Sequence, residues 1–422
     1  MPKKEYGWDK GNVPIIGEHS LAKHRILREY VQRYIEILTA NPRIERLKLS
    51  LVDGFAGGGI YQKKGTQVPH FGSPAILIEA TAAAQSRVNK TRVKPVTIQP
   101  KYYFVDKNSA NVSALQDTLA KYVQPQHPGV EPTILTGAFE DHLEKLVEAI
   151  KQDGQAHRAI FVLDQYGYTA VPLASLQQIF RELPKAEVFL TLAVGWIASY
   201  LRNTASAGSV VRKSLGLREE TPEDEIADNL LCGADSATKL RVVQQVLHDA
   251  FVQKSGAAFA TPFFIVSRES NRPYWFLHLA NSQRANDVVK QLHWELQNHF
   301  SHFGDTGLSM LGFDPFREPD PRQQLLFAFD SIAKQQTELA LMAQLPDRLR
   351  RNYYDGIQFN DLFAALTNET PATKDMLRTA LTSLCREGDF TRLGGCGEHR
   401  HCTTPIRDSD VVMPSRQLRL VL

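Results

Sequence analysis

The sequence predicts a doubly wound α/β domain followed by a smaller helical domain. Three observations support this prediction. Short β-rich apolar runs alternate with helix-like runs as far as residue 300, which is typical of a parallel sheet covered by helices. A glycine-rich turn ends the first of these runs, and the alternation stops near residue 320. We therefore place the domains at residues 1–44 (a helical segment packing on the sheet), 45–310 (the sheet domain) and 320–422.

Composition limits the class of protein. The chain has 422 residues, of which 43% are hydrophobic and 23% charged, as in ordinary globular domains. No stretch approaches the roughly 18 consecutive apolar residues of a membrane helix, and the amino end lacks the apolar run of a secretory signal. The four cysteines are unevenly spaced, which argues against a disulfide framework and agrees with a reducing compartment. We expect a cytoplasmic protein without membrane contact.

Charge is distributed unevenly along the chain. The net charge is +3, but residues 1–100 carry 16 Lys or Arg against 8 Asp or Glu. A basic segment can attract DNA or RNA through phosphate contacts, and surplus lysine is also a common solubility device. Composition leaves both explanations open.

The first predicted elements follow a regular order. Apolar residues at helical spacing predict a helix over Leu21–Leu38 that packs on the sheet. The run Leu47–Phe55 predicts the first strand, and Ser73 before Pro74 predicts the cap of a helix that continues to about residue 86. Further strands are predicted at residues 102–106, 133–137, 159–164, 188–196, 263–267 and 274–280.

The end of the sheet and the second domain have their own signals. A short polar turn between the last two strands predicts a hairpin, and a parallel sheet closed by one antiparallel strand is the Rossmann-like, class I methyltransferase variant of the doubly wound plan. The polar, helix-like residues 200–260 predict a helical insertion. Beyond residue 320, two short helices and the glycine-bearing segment 391–421 predict a winged helix-turn-helix.

The turn after the first strand reads VDGFAGGGIY. The strand delivers an acid to the carboxyl edge of the sheet, and the glycines let backbone approach a ligand where a side chain would collide. The G-x-G-x-x-G run that leads straight into a helix in nicotinamide-binding proteins is missing. A tight turn without a ligand is the alternative. We predict a cofactor site that includes Asp53, Gly54, Phe55, Ala56, Gly57, Gly59 and Ser73.

Acidic residues follow the next two strands. Asp106 ends YYFVD, where an acid can accept hydrogen bonds from the two ribose hydroxyls of an adenosine moiety. Its alternative role is to cap the following helix. Glu140 and Asp141 follow the third strand in a position suited to the exocyclic amine of an adenine ring, although a surface acid at a helix start has the same pattern.

The fourth strand ends in VLDQYGY, which carries Asp164, Tyr166 and Tyr168 to the same edge. In amino-methylating enzymes a [DN]-P-P-[YF] loop stands here, and it polarises a target amine while an aromatic ring stacks on the base. The prolines are missing from this chain. We assign these three residues to the acceptor, with a strand cap and aromatic packing as the alternative.

The winged-helix segment carries two patterns. Lys374, Arg378 and Arg386 lie along its second helix, but residues 341–422 hold 11 Lys or Arg against 10 Asp or Glu. Bulk charge therefore does not separate nucleic-acid binding from protein binding. A cluster of two cysteines and two histidines matches no standard zinc spacing, so we assign no metal and interpret it as a wing hairpin, with metal binding left open. Its residues are Cys396, His399, His401 and Cys402.

The segments VDGFAGGGIY, GSPAILIEA, YFVD, FVLDQYGY and FLHLAN together resemble the three-Cys-motif partner family of bacteria. The likeness covers roughly residues 15–300. Members are similar to Rossmann-like methyltransferases, so the resemblance implies that fold, a three-Cys-motif protein as partner, and a place in mobile-element or phage-related gene clusters. Family members commonly carry D-P-F-G-Y at the fourth strand. Asp164 and Gly167 of this chain match that motif, but its proline position holds Gln165.

These patterns together predict an S-adenosylmethionine-dependent methyltransferase that acts on nucleic acid. The glycines 57–59 would lie against the methionine part, Asp106 on the ribose, and Asp164 with Tyr166 at the acceptor. Methyl transfer needs chiefly alignment of a nucleophile with the sulfonium. One alternative is a non-catalytic module that binds a nucleotide or a partner protein. The other is a different nucleic-acid processing enzyme such as a nuclease, for which the clustered acid pair with a lysine is lacking.

Overall fold

The computed structural model divides into two compact units, residues 1–285 and 286–422. The first unit therefore ends at residue 285, before residue 310, where the sequence predicts the end of the sheet domain. The residues that the structure describes are 8, 13–66, 68–154, 156–165, 171–192, 194, 236–267, 272–296, 301–302, 307–308, 327–395 and 397–415. Most of the predicted insertion, residues 201–235, lies outside them.

The first unit is built on a seven-stranded sheet. Its strands are β2 Arg46–Asp53, β5 Thr97–Asp106, β6 Thr133–Thr136, β7 Ala159–Leu163, β8 Ala186–Leu192, β9 Phe259–Ser267 and β10 Arg272–Ala280. Their spatial order is β6-β5-β2-β7-β8-β10-β9. The first five are parallel, whereas β10 runs antiparallel to both of its neighbours. This order, with one antiparallel strand, confirms the Rossmann-like methyltransferase type of sheet.

Helices cover this sheet because its central strands are mostly apolar. Every residue of β7 and β8 is buried, as expected of strands covered on both faces. The predicted first helix is present as α1, and its Tyr30 ring packs on Phe189 of β8 at 4.9 Å between centroids. The α-helices among the described residues of this unit are α1 Glu18–Leu38, α2 Ser73–Asn89, α3 Ser109–Thr118, α4 Phe139–Gln152, α5 Leu173–Glu182 and α6 Ser236–Lys254, and a π-helical turn, Leu119–Val123, continues α3.

A small second sheet lies where the sequence predicted a loop before Ser73. Its strands are β1 Ile15–Ile16, β3 Ile60–Lys63 and β4 Pro69–Phe71, with β3 in the centre. The helix start also differs from the prediction, because Gly72 is the N-cap and Ser73 is the first helical residue. The Ser73 hydroxyl lies close enough to the Asp53 carboxylate to lower its pKa.

The second unit contains the predicted winged helix-turn-helix. Its helices are α7 Gln283–Leu296, which begins at the end of the first unit, α8 Ser331–Asn352, α9 Phe359–Leu366 and α10 Lys374–Glu387. A sheet of β13 Ile357–Gln358, β15 Val411–Pro414 and β14 Phe390–Leu393 follows, in that spatial order, and β11 Ser301–His302 pairs with β12 Phe327–Ala328. Apolar side chains of α8, α9 and α10 form one buried core with Phe390 and Val412. Among the described residues, no helix is both long and apolar enough to cross a membrane.

Candidate functional site

The predicted glycine turn lies at the carboxyl edge of the central strand β2. Gly57 and Gly59 have φ values of +59° and +75°, which L side chains rarely adopt. A Cβ atom on Gly54 would lie 2.7 Å from Leu163 Cδ2, so glycine is also needed for the approach to β7. The turn is therefore a backbone surface that closely follows the strand ends.

Asp53 is fully buried beneath this turn. Its Oδ1 accepts a hydrogen bond from the Phe55 amide at 3.0 Å. Burial raises the pKa of Asp53 to about 7, against the hydrogen bonds from Ser73 and Phe55, and the nearby carboxylates of Asp164 and Asp106 add to the increase. Its Oδ2 is buried and has no hydrogen-bond partner. Asp53 thus stabilises the turn by accepting the Phe55 amide, and its Oδ2 can still accept a hydrogen bond.

Asp106 ends β5 and joins the turn to the next helix. Its Oδ2 accepts the Gly57 amide at 2.9 Å, and its Oδ1 accepts the Asn108 amide at 2.9 Å and Asn111 Nδ2 at 3.1 Å. The alternative role as helix cap is wrong, because Asn108 is the N-cap of α3 and accepts from the Ala110 amide. Asp106 is therefore placed beside the glycine turn, where the sequence predicted it.

Trp8 covers the glycine turn, which the sequence did not predict. A Cβ atom on Gly57 would lie 2.8 Å from Trp8 Cη2, and one on Gly58 would lie 2.5 Å from Trp8 Cδ1. The indole Nε1 donates to the Ile60 carbonyl at 2.6 Å, and the Tyr61 ring meets the indole edge-on at 5.3 Å. The six-membered ring lies over Gly57 and the five-membered ring over Gly58.

Glu140 and Asp141 occupy the first turn of α4, beyond β6. Glu140 is half-buried, and its Oε1 is buried without a hydrogen-bond partner. Burial, followed by the neighbouring Asp141 charge, raises the pKa of Glu140. Asp141 is exposed. Glu140 therefore offers a buried, unsatisfied acceptor at this place, and Asp141 offers an exposed carboxylate.

Asp164 ends the fourth strand of the sheet order and is paired with Lys23 of α1. Lys23 Nζ lies 2.5 Å from Asp164 Oδ1 and also hydrogen-bonds Oδ2. Burial alone would raise the pKa of Asp164, but the charge and hydrogen bonds of Lys23 hold it below its usual value. The adjacent Gln165 is buried with an unpartnered Oε1. Tyr166, Gly167 and Tyr168 lie outside the described residues.

A small recess opens beside this ion pair. Its lining includes Lys23, His24, Ser73 and Asp164, together with apolar side chains of β7, β8 and β10. Burial lowers the pKa of His24 to about 3, and the positive charges of its neighbours contribute. His24 Nδ1 lies 3.1 Å from His70 Nε2, and the two rings are stacked. Between two uncharged imidazoles one nitrogen donates and the other accepts.

Lys23 was missed although the sequence contains a signal for it. It precedes Ile26, Leu27 and Tyr30 by three, four and seven positions, so it lies on the apolar stripe of α1. A cation in such a stripe is buried when the helix packs, and it then needs a partner. The identity of that partner depends on a contact between residues 141 positions apart.

In the winged helix-turn-helix, two cations of the second helix, Lys374 and Arg378, are engaged by acids. Lys374 Nζ pairs with Asp408 Oδ2 at 2.8 Å, and Arg378 pairs with Asp408 Oδ1 at 3.3 Å and with Asp375. In the cysteine-histidine cluster, Cys402 is a free thiol and Cys396 lies outside the described residues. No group of three or more metal-ligating side chains occurs among the residues that the structure describes.

Comparison with known proteins found similarity to a family model and to a solved structure. A family model described as "GMT-like wHTH domain" matches residues 312–390. Among solved structures, a candidate class I S-adenosylmethionine-dependent methyltransferase from Listeria monocytogenes aligns with a TM-score of 0.28 and 8% identity. The aligned part spans 63% of this chain and 63% of that one. The curated proteins contain no match.

Proposed function

We propose that the chain binds S-adenosylmethionine at the carboxyl edge of its sheet and transfers the methyl group to a nucleic acid. The supporting observation is that the ends of three adjacent strands bring together the glycine turn, Asp106 and Glu140. Such an edge is where open α/β sheets bind their ligands. The sheet order is that of methyltransferases, and the site lies at its centre.

The residues present fit the adenosine part of this cofactor. Asp106 adjoins the turn, and each of its oxygens can accept more than one hydrogen bond, so it could also accept the ribose hydroxyls. Glu140 Oε1 is a buried acceptor without a partner, which suits the exocyclic amine of adenine. The glycines 57–59 would lie against the methionine part. The cofactor supplies a methyl group activated by a sulfonium centre.

The chain's own contribution to transfer would be to orient the acceptor. Lys23 keeps Asp164 ionised, and the Asp164 side chain is still 30% exposed. It can therefore accept a hydrogen bond from an amine or hydroxyl of the acceptor. Orientation of this kind is the main requirement of methyl transfer. The basic residues of the first 100 positions favour a phosphate-bearing acceptor.

A protein partner is also part of the proposed function. The resemblance of residues 15–300 to the three-Cys-motif partner family suggests a three-Cys-motif protein as the interacting chain. The ion pairs of Lys374 and Arg378 with Asp408 reduce the positive charge that α10 could offer to nucleic acid. Protein docking is therefore the better-supported use of this winged helix-turn-helix.

A non-catalytic binding module is the second candidate. Trp8 lies on the glycine turn, and the chain's own amides donate to both Asp106 oxygens. An edge filled in this way could serve as a structural support rather than a cofactor site.

Calorimetric titration with S-adenosylmethionine and with NAD separates these candidates. We expect the wild type to bind only S-adenosylmethionine. Asp106→Asn should weaken binding at least tenfold because it removes the carboxylate charge but keeps an acceptor for the Gly57 amide. Asp117→Asn is the matched control, since Asp117 is exposed on α3 and should not affect affinity. Absence of binding by a folded wild type would refute the methyltransferase proposal and leave the binding module.

A further inference from the structure

The indole of Trp8 occupies the part of the glycine turn that a ligand would have to contact. Both Gly57 and Gly58 have Trp8 ring atoms closer to the ideal Cβ position than real Cβ contacts allow. The ring therefore lies directly on the backbone. A second molecule cannot occupy the same surface while the ring is seated, because protein interiors are close-packed.

The contacts of the ring include a hydrogen bond from Nε1 to the Ile60 carbonyl and an edge contact with the Tyr61 ring. A net hydrogen bond contributes about 0.5–1.5 kcal/mol. The indole is also buried, with 8% of Trp8 exposed. A ligand on the same turn would bury its own apolar surface there, which offsets the burial that the indole loses. Displacement of the indole is therefore within reach of a ligand that makes several contacts on the same turn.

The contacts of Trp8 given above lie on the turn, from Gly57 to Tyr61. Asp106 and Glu140 lie on the neighbouring strand ends, where the adenosine part would bind. The indole thus opposes the amino-acid end of a nucleoside-amino-acid ligand more than its nucleoside end.

We propose that Trp8 is an internal competitor that covers the methionine end of the cofactor site and must move away for the cofactor to bind. This inference rests on the proposed function. The indole sets the fraction of molecules that are competent to bind, and the apparent dissociation constant rises as that fraction falls. A ring seated in nine of ten molecules weakens binding by about tenfold.

The test is calorimetry of the full-length chain with S-adenosylhomocysteine and with adenosine. Trp8→Ala should bind S-adenosylhomocysteine about tenfold more tightly than the wild type, and Trp8→Phe should lie between the two. Adenosine lacks the amino-acid end, so its affinity should change by less than about threefold. Trp294→Phe is the matched control, because Trp294 also donates one indole hydrogen bond, to the Pro371 carbonyl at 3.0 Å, and its loss should leave both affinities unchanged.

Fluorescence gives a second readout that does not depend on a truncated side chain. Saturating S-adenosylhomocysteine should shift wild-type tryptophan emission to longer wavelength as Trp8 enters water, and Trp8→Phe should not show this shift. Wild-type binding with an unchanged or lower affinity in Trp8→Ala and Trp8→Phe would overturn the proposal. If neither the wild type nor the variants bind either ligand, the proposed function itself fails and the inference fails with it.

Discussion

Replacement of Lys23 by methionine tests the ion pair at the end of the fourth strand. The variant keeps the apolar stem but leaves the Asp164 carboxylate without its partner. Breaking a buried pair costs about 3–5 kcal/mol. The Lys23 side chain is 8% exposed but that of Asp164 is 30% exposed, so water offsets part of this cost, and we expect a loss of about 2–3 kcal/mol at pH 7.

The pH dependence of this loss identifies its cause. In the wild type the pKa of Asp164 is lowered, so its contribution is present above the unfolded pKa and is lost as pH falls through the folded one. Without Lys23, burial raises the pKa, and protonation below neutral pH relieves the cost. The difference in unfolding free energy between Lys23→Met and the wild type should therefore shrink as pH falls from 7 to about 4.

Urea unfolding of the full-length chain, fitted with one transition for each unit, measures this difference. Lys94→Met is the matched control, because Lys94 pairs with Glu45 at 3.5 Å but its side chain is 75% exposed, and exposed pairs contribute little. A loss below about 0.5 kcal/mol for Lys23→Met would place it among ordinary surface substitutions. That result, or a difference that stays constant with pH, would refute the buried-pair argument.

Three further predictions concern buried and paired charges. Asp53→Asn should raise the melting temperature at pH 8 but not at pH 4, because the buried carboxyl, with its pKa raised to about 7, destabilises the fold where it is ionised; an equal effect at both pH values would contradict this. Burial lowers the pKa of Lys290 from 10.5, so the wild-type unfolding free energy should rise between neutral pH and 10.5, and a Lys290→Met variant should lose this slope in urea titrations. The same variant should destabilise the second unit, since Lys290 Nζ donates to the Thr367 carbonyl at 2.5 Å and that buried acceptor would lose its partner. Asp408→Asn releases the Lys374 ammonium and should increase salt-sensitive affinity for duplex DNA in fluorescence anisotropy, whereas unchanged affinity would show that this cation does not face DNA.

The sheet could be predicted because its signals are local. The strand Ala159–Leu163 is a continuous apolar run, and Ala186–Leu192 is mostly apolar, which is the pattern of a buried parallel strand. Asp106 and Glu140 could be placed because a strand end fixes the edge on which the next residue lies. The small sheet of β1, β3 and β4 could not be predicted, since strands of two to four residues are too short for a periodic signal.

The remaining residues of the site come from a part of the chain that precedes the first strand of the large sheet. Trp8 reaches the glycine turn, 52 positions away at Ile60, and Lys23 reaches Asp164 across 141 positions. The order of strands in a sequence predicts only that the loops after parallel strands lie at the carboxyl edge. It contains no signal for side chains that α1 and the segment before it bring to that edge. Both contacts add to the edge what the glycine turn cannot supply, an aromatic surface and a positive charge. The amino-terminal segment therefore contributes contacts to the candidate site, and a protein that lacks residues 1–23 would lose both of them.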